Sequence, residues 1–218
     1  LNLVNIKRDF YDERDPEVWI KDFGDPVPQD YYGSLVIEVT TEEQTRRESL
    51  SAVNDLPWHH DKGYRKDVHE HVAIYCVEAD NAGAIQFCDM RAAYRDAPPE
   101  LKVQERCYHS VMKFFQQYPD HPCKFESLAE ERLYKRSKAV HDLIVDDEYF
   151  FFSEAYTNSN KRDELIEHCY QDKYITTHEY RTGDLIIYDN LRLCHRRDGT
   201  VDGKKTLLRF ALNNVKEN

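Results

Sequence analysis

The chain has 218 residues, 40% of them hydrophobic, 12% aromatic and 33% charged, and its 41 acidic against 30 basic side chains give a formal net charge of −11. That aromatic content supports a packed core and excludes intrinsic disorder. No run approaches the ~20 apolar residues of a membrane helix, and an acidic balance with only scattered basic pairs argues against a nucleic-acid partner.

Residues 1 to 9 lack the basic start, long apolar middle and small-residue cleavage site of a secretory signal. The six cysteines, at 76, 88, 107, 123, 169 and 194, form no C-x-x-C pair. Reduced, mostly buried thiols in a cytoplasmic protein are therefore expected, with no Cys107–Cys123 bridge.

In chain order, residues 1–33 are polar, dotted with aromatics and broken by Pro16, Pro26 and Pro28, which predicts irregular structure with one short helix at most. Ser34–Thr40 is β-branched and reads as a strand. Thr41–Leu50 is charged, as a solvated helix or loop would be. Trp58–Tyr64, Val68–Val77 and Ala84–Cys88 are strand-like runs between breakers at Gly63, Asn81 and Gly83.

After Asp89 the apolar period lengthens from two to about 3.6. Met90, Ala93, Tyr94 and Ala97 share a helical face that Pro98-Pro99 terminates. Leu101, Tyr108, Val111, Met112 and Phe115 form the stripe of a second expected helix. Ala139–Val145 and Tyr149–Tyr156 read as strands and Lys161–Cys169 as a helix. Tyr174–Tyr180, Asp184–Tyr188, Arg192–Arg196 and Lys205–Asn213 then form a closing set of strands. Without a repeat or linker, the expectation is one mainly β domain over 1–218 with flanking helices.

The residues that carry chemistry begin at Pro57-Trp58-His59-His60-Asp61. On an extended chain His59 and Asp61 share a face while His60 points away. A third ligand completes the arrangement of two histidines and one carboxylate that leaves positions open on non-haem Fe(II), and His195 is the candidate. Fourteen residues later Arg209 stands alone in the apolar run Thr206–Leu212, where a guanidinium needs an anion to face.

These pieces resemble the Fe(II)/2-oxoglutarate dioxygenases of the taurine dioxygenase and clavaminate synthase-like superfamily. Trp58-His59-His60-Asp61 is similar to the family's W-H-x-D. The run from Gly183 through Asp189-Asn190 to His195 is similar to its G-D-x-x-x-x-D-N-x-x-x-x-H segment, with Arg209 as the arginine that follows. Phe87–Tyr94 resembles its strand-to-helix corner. The resemblance spans roughly 58 to 212.

It implies a double-stranded β-helix (a jelly-roll, cupin-like), with Fe(II) on His59, Asp61 and His195, 2-oxoglutarate as cosubstrate, O2 as oxidant, and Arg209 on the distal carboxylate of 2-oxoglutarate. It further implies hydroxylation or desaturation of a small polar molecule, an amino acid or derivative, with release of succinate and CO2. The retained Asp61 favours an oxygenase outcome over halogenation, for which relatives replace this carboxylate. Two departures stand out. Where many relatives carry Thr or Ser in a G-G-x-T-x-F strand, this chain has Ala82-Gly83-Ala84-Ile85-Gln86-Phe87, so Ile85 cannot donate to the cosubstrate and Gln86 becomes the candidate second donor. The chain is also short before His59 and between Phe115 and Ala139.

The competing reading is a metal-dependent jelly-roll lyase, isomerase or ligand-binding module that does not use 2-oxoglutarate. His60 is expected to pack or hydrogen-bond on the second face. His69, His71, His141 and His178 are expected to be structural, Asp189 and Asn190 to fix a strand corner, and Glu154 and Asp55 to face either solvent or a cationic substrate group.

Overall fold

The computed structural model describes residues 3–29, 33–41, 57–63, 68–109, 139–154, 157–198 and 203–216. The strands are β1 (Val4–Lys7), β2 (Asp25–Val27), β3 (Val36–Thr40), β4 (His71–Ala79), β5 (Ala84–Asp89), β6 (Arg106–His109), β7 (Ala139–Asp142), β8 (Ile144–Val145), β9 (Tyr149–Phe150), β10 (Thr157–Asn158), β11 (Ile175–Glu179), β12 (Leu185–Asp189), β13 (Leu193–Asp198) and β14 (Lys205–Asn213). The helices are α1 (Pro16–Trp19), α2 (Met90–Asp96) and α3 (Arg162–Cys169).

Two antiparallel sheets form the frame. The major sheet runs β1-β12-β4-β14-β2, and β3 also pairs along β14. The minor sheet runs β11-β5-β13. Between them lies a core drawn from both: Val72, Ile74, Cys76, Ile186, Tyr188 and Leu207 from the major sheet, Ile85, Phe87 and Leu193 from the minor. This is the expected double-stranded β-helix, mainly β with flanking helices.

Side-chain alternation assigns the other faces. Cys88 and Cys194 point out of the minor sheet into a second core with Met90, Ala93, Leu165 and Cys169 of α2 and α3. Ala73, Leu185, Ile187, Phe210 and Leu212 point out of the major sheet, where Trp19, Ile20 and Phe23 cover them. Helix α2 starts where Asp89 accepts from the backbone N–H groups of Arg91 and Ala92, and it stops before Pro98. Cys76, Cys88, Cys169 and Cys194 are free and buried, as expected. No helix among the described residues is long and apolar enough to cross a membrane.

Three expectations need correction. The N-terminal segment supplies β1 and β2 to the major sheet, where Val4–Lys7 pairs with Leu185–Tyr188 and 25–27 with 211–213. As edge strands with half-exposed polar residues they carry no apolar alternation to read. The helix expected from Leu101 is irregular at first and then becomes β6, paired with β7 and β10; its later residues lie outside the described ones. The stretch from Trp58 is no strand: it makes a single antiparallel bridge, His59 to His195, and then turns at Asp61–Gly63. Residues 42–50, Asp55 and Cys123 also lie outside the described residues.

Candidate metal centre

β13 carries His195 on the inner face of the minor sheet, opposite Phe87. The bridge to residue 59 is complete, with the His59 N–H donating to the His195 carbonyl (3.1 Å) and the His195 N–H returning to His59 (2.9 Å). This pairing sets the two imidazoles side by side, with ring centroids 4.3 Å apart. The turn that follows, with Lys62 at φ +54°, brings Asp61 under both rings. Asp61 Oδ1 lies 3.6 Å from His59 Nε2 and 3.7 Å from His195 Nε2. One ligand atom from each of the three residues falls within 4.8 Å of the others. His59 Nδ1 stands 2.7 Å from the Pro57 carbonyl, a contact that fixes the tautomer and leaves Nε2 as the ligating atom. The donor set of two imidazoles and one carboxylate oxygen fits a divalent iron with open positions.

The two oxygens of Asp61 have different partners. Oδ2 accepts from Arg209 Nε (2.8 Å) and Nη2 (2.5 Å), while Oδ1 faces the histidines. Arg209 Nη1 in turn donates to Gln29 Oε1 (2.5 Å), and Gln29 Nε2 donates to the backbone carbonyls of Arg209 and Leu35. Burial opposes ionisation of Asp61, but the adjacent Arg209 and the histidines hold its pKa well below the usual carboxylate range. Burial, reinforced by His59 and Arg209, pushes His195 well below the usual imidazole range. The site therefore presents an anionic carboxylate and a neutral imidazole, the protonation states in which these groups ligate a metal.

Asn190 clamps the Asp61 backbone from both sides: its Oδ1 accepts the Asp61 N–H (2.8 Å) and its Nδ2 donates to the Asp61 and His69 carbonyls (3.1 Å each). Asp189 is the local corner residue, accepting from the N–H groups of Leu191 and Arg192. His60 faces away as expected. Its N–H donates to Ser153 Oγ, Nδ1 lies 2.8 Å from the Asn190 carbonyl, Nε2 lies 3.2 Å from Cys194 Sγ, and the ring stacks on Phe151. The Tyr188 hydroxyl, not anticipated from sequence, stands 3.4 Å from His195 Nε2 and 3.5 Å from Asp61 Oδ2.

Other expected residues fall elsewhere. His178 is buried against Asp184 (3.0 Å), which also pairs with Arg8. His69 is buried, and its Nε2 has no hydrogen-bond partner among the described residues. Gln86 is on the wrong face to serve as a second donor beside Ile85: alternation turns it outward, where it donates to Thr177 and accepts from Arg196.

The frame is shared with solved oxygenase structures. A structure of AAD-2 with Mn(II) and N-oxalylglycine superposes with a TM-score of 0.70 at 18% identity, over 99% of this chain and 86% of that one. A taurine dioxygenase from Burkholderia xenovorans gives 0.66 at 14%, over 99% and 77%. In sequence, the chain is 23% identical over 172 residues to an alpha-ketoglutarate-dependent 2,4-dichlorophenoxyacetate dioxygenase of Burkholderia sp. (strain RASC), a match over 71% of this chain. It spans little more than half of that relative, 56% of its length. The model of the taurine catabolism dioxygenase TauD, TfdA family matches residues 21–211, a span that holds all three converging side chains and the arginine behind them, and the chain belongs to that family.

Proposed function

We propose that the protein is an Fe(II)- and 2-oxoglutarate-dependent oxygenase, with His59, Asp61 and His195 as the metal ligands. The observation that carries this reading is the convergence of the three ligand atoms, with one Asp61 oxygen turned to the histidines and the other held by Arg209. When bound, the iron with 2-oxoglutarate and O2 supplies the oxidising chemistry, releasing succinate and CO2.

The chain's own residues fix geometry. Gln29 holds Arg209, Arg209 holds Asp61 Oδ2, and Asn190 holds the Asp61 backbone, so the carboxylate meets the metal without searching rotamers. Pro57 fixes the His59 ring and the Tyr188 hydroxyl borders the ligand cluster. The inter-sheet core beneath, with Phe87, Ile85 and Leu207, excludes water from one side of the site.

The reaction we assign is hydroxylation or desaturation of a small polar metabolite, an amino acid or derivative. Support comes from the small acids named for relatives, taurine and 2,4-dichlorophenoxyacetate.

Anaerobic titration of metal-free protein with Fe(II) and then 2-oxoglutarate is expected to give the visible charge-transfer band of the chelate. His195→Ala should abolish it. Iron binding without a band at millimolar 2-oxoglutarate would overturn the cosubstrate assignment.

A further inference from the structure

The segment that supplies two of the three ligands has little support from the sheets. Residues 57–61 meet β13 through one rung, His59 to His195. On their other side the Glu154 N–H donates to the Trp58 carbonyl at 2.9 Å. One rung sets the separation of two backbones but not their relative twist, which varies widely between neighbouring strands. The spacing of His59 and Asp61 from His195 therefore needs a further constraint.

His60 lies between the two ligands of that segment, Cys194 immediately precedes the third, and both side chains are fully buried on the face away from the metal centre. The Asn190 carbonyl can only accept, so its 2.8 Å contact assigns the ring hydrogen to His60 Nδ1 and leaves Nε2 as an acceptor. The Cys194 thiol, 3.2 Å from Nε2 and 2.8 Å from the Phe152 carbonyl, shares its one hydrogen between those acceptors. Residues 151–153 close the socket: Phe151 stacks on the imidazole with ring centroids 4.4 Å apart, and Ser153 Oγ accepts the His60 N–H at 3.1 Å. One side chain thus joins the segment that carries His59 and Asp61 to Asn190 at the entry of β13 and to Cys194 within it. A phenylalanine would fill the same socket without two ring nitrogens, whose burial is costly unless each is bonded.

Resting on the assignment of His59, Asp61 and His195 as metal ligands, we propose that His60 and Cys194 are positioning residues: their contact ties the two ligand-bearing segments together from behind and sets the spacing of the three donor atoms. The triad is then fixed before the metal arrives, as partners outside the coordination sphere fix other metal sites. The tie differs from the Asn190 clamp, which holds the Asp61 backbone, because it reaches the strand that carries His195.

The test follows Mn(II) affinity by calorimetry and the visible d–d spectrum of Co(II)-loaded protein, which reports ligand geometry, alongside urea unfolding. His60→Phe, which keeps a ring against Phe151 and loses both nitrogens, should weaken Mn(II) by about tenfold and shift the Co(II) spectrum. Cys194→Ala should weaken Mn(II) severalfold, and Cys194→Ser, which restores a donor on a shorter bond, should recover part of that loss. The double variant His60→Phe/Cys194→Ala should lose no more than His60→Phe alone, because both changes cut the same tie. Cys88→Ala is the control: Cys88 faces the same core directly across from Cys194 and donates to the Cys169 carbonyl, so its loss should lower stability without moving either metal readout. The two Cys194 variants carry the test if His60→Phe does not fold. If His60→Phe and Cys194→Ala lower stability as Cys88→Ala does but leave Mn(II) affinity and the Co(II) spectrum as in wild type, the assignment is overturned and the metal centre stands. If wild type binds neither Mn(II) nor Co(II), the metal centre itself fails and takes this assignment with it.

Discussion

Asn190 shows how a residue that touches neither metal nor cosubstrate can set the affinity for both. Its amide is fully buried and makes three hydrogen bonds to backbone on either side of a turn that no strand supports. Replacing it by alanine strands the Asp61 N–H and two carbonyls away from water, at a cost of about 2–3 kcal/mol. Asn190→Ala is therefore expected to lower the unfolding free energy by that amount and Mn(II) affinity by about tenfold, although every ligand remains. Chemical denaturation and metal titration would check this; unchanged Mn(II) affinity would show that the turn holds without the clamp. The ligands themselves were legible in the sequence because ligation demands particular residue types at short spacing, and His59, Asp61 and His195 come together as read. Gln29 was not legible, because its partner Arg209 is 180 residues away and an isolated glutamine carries no pattern.

At the scale of elements, β14 connects the chemistry to the frame. It pairs with β2, β3 and β4 and places both Lys205 and Arg209 on one face. Its limits, Lys205–Asn213, match those expected from sequence, since its apolar residues are buried and its ends are polar. The strand's entry depends on Gly203, where an added Cβ would lie 1.7 Å from the carbonyl oxygen of Asp80, the residue just past the end of β4. The neighbouring contact, the Asp80 N–H to the Lys204 carbonyl at 2.9 Å, would have to open. Gly203→Ala is expected to cost about 2 kcal/mol and lower the melting temperature by about 4–8 °C. A melting temperature within a degree of wild type would mean that the turn relaxes freely. The elements missed from sequence share one physical cause. β1 and β2 are edge strands, and β6 is a short strand in a small separate sheet, so tertiary pairing and not local periodicity defines them.

At the scale of the whole molecule, packing two sheets with aromatic and aliphatic side chains leaves few places for charge, and histidines caught inside must stay neutral. His69 is the clearest case. It is 2% exposed, its Nε2 lacks a partner among the described residues, and burial, reinforced by Arg209, lowers its pKa from 6.5 to about 3. Between those two values the unfolded chain binds a proton that the folded chain refuses. Stability is therefore fully present above about pH 6.5 and is lost as pH falls, at about 1.4 kcal/mol per pH unit for this one group. Metal-free protein should lose about 2 kcal/mol from His69 alone between pH 6.5 and about pH 5, above the range where ordinary carboxylates protonate. Urea unfolding midpoints across that interval would show it, and His69→Leu, which removes the titrating group without breaking a bond at Nε2, should flatten the dependence by one proton's worth. An unchanged slope in His69→Leu would mean that the imidazole is hydrated in the folded chain. The sheet ends around residue 69 would then be open to water, and the exclusion of solvent from the nearby metal centre would have to come from elsewhere.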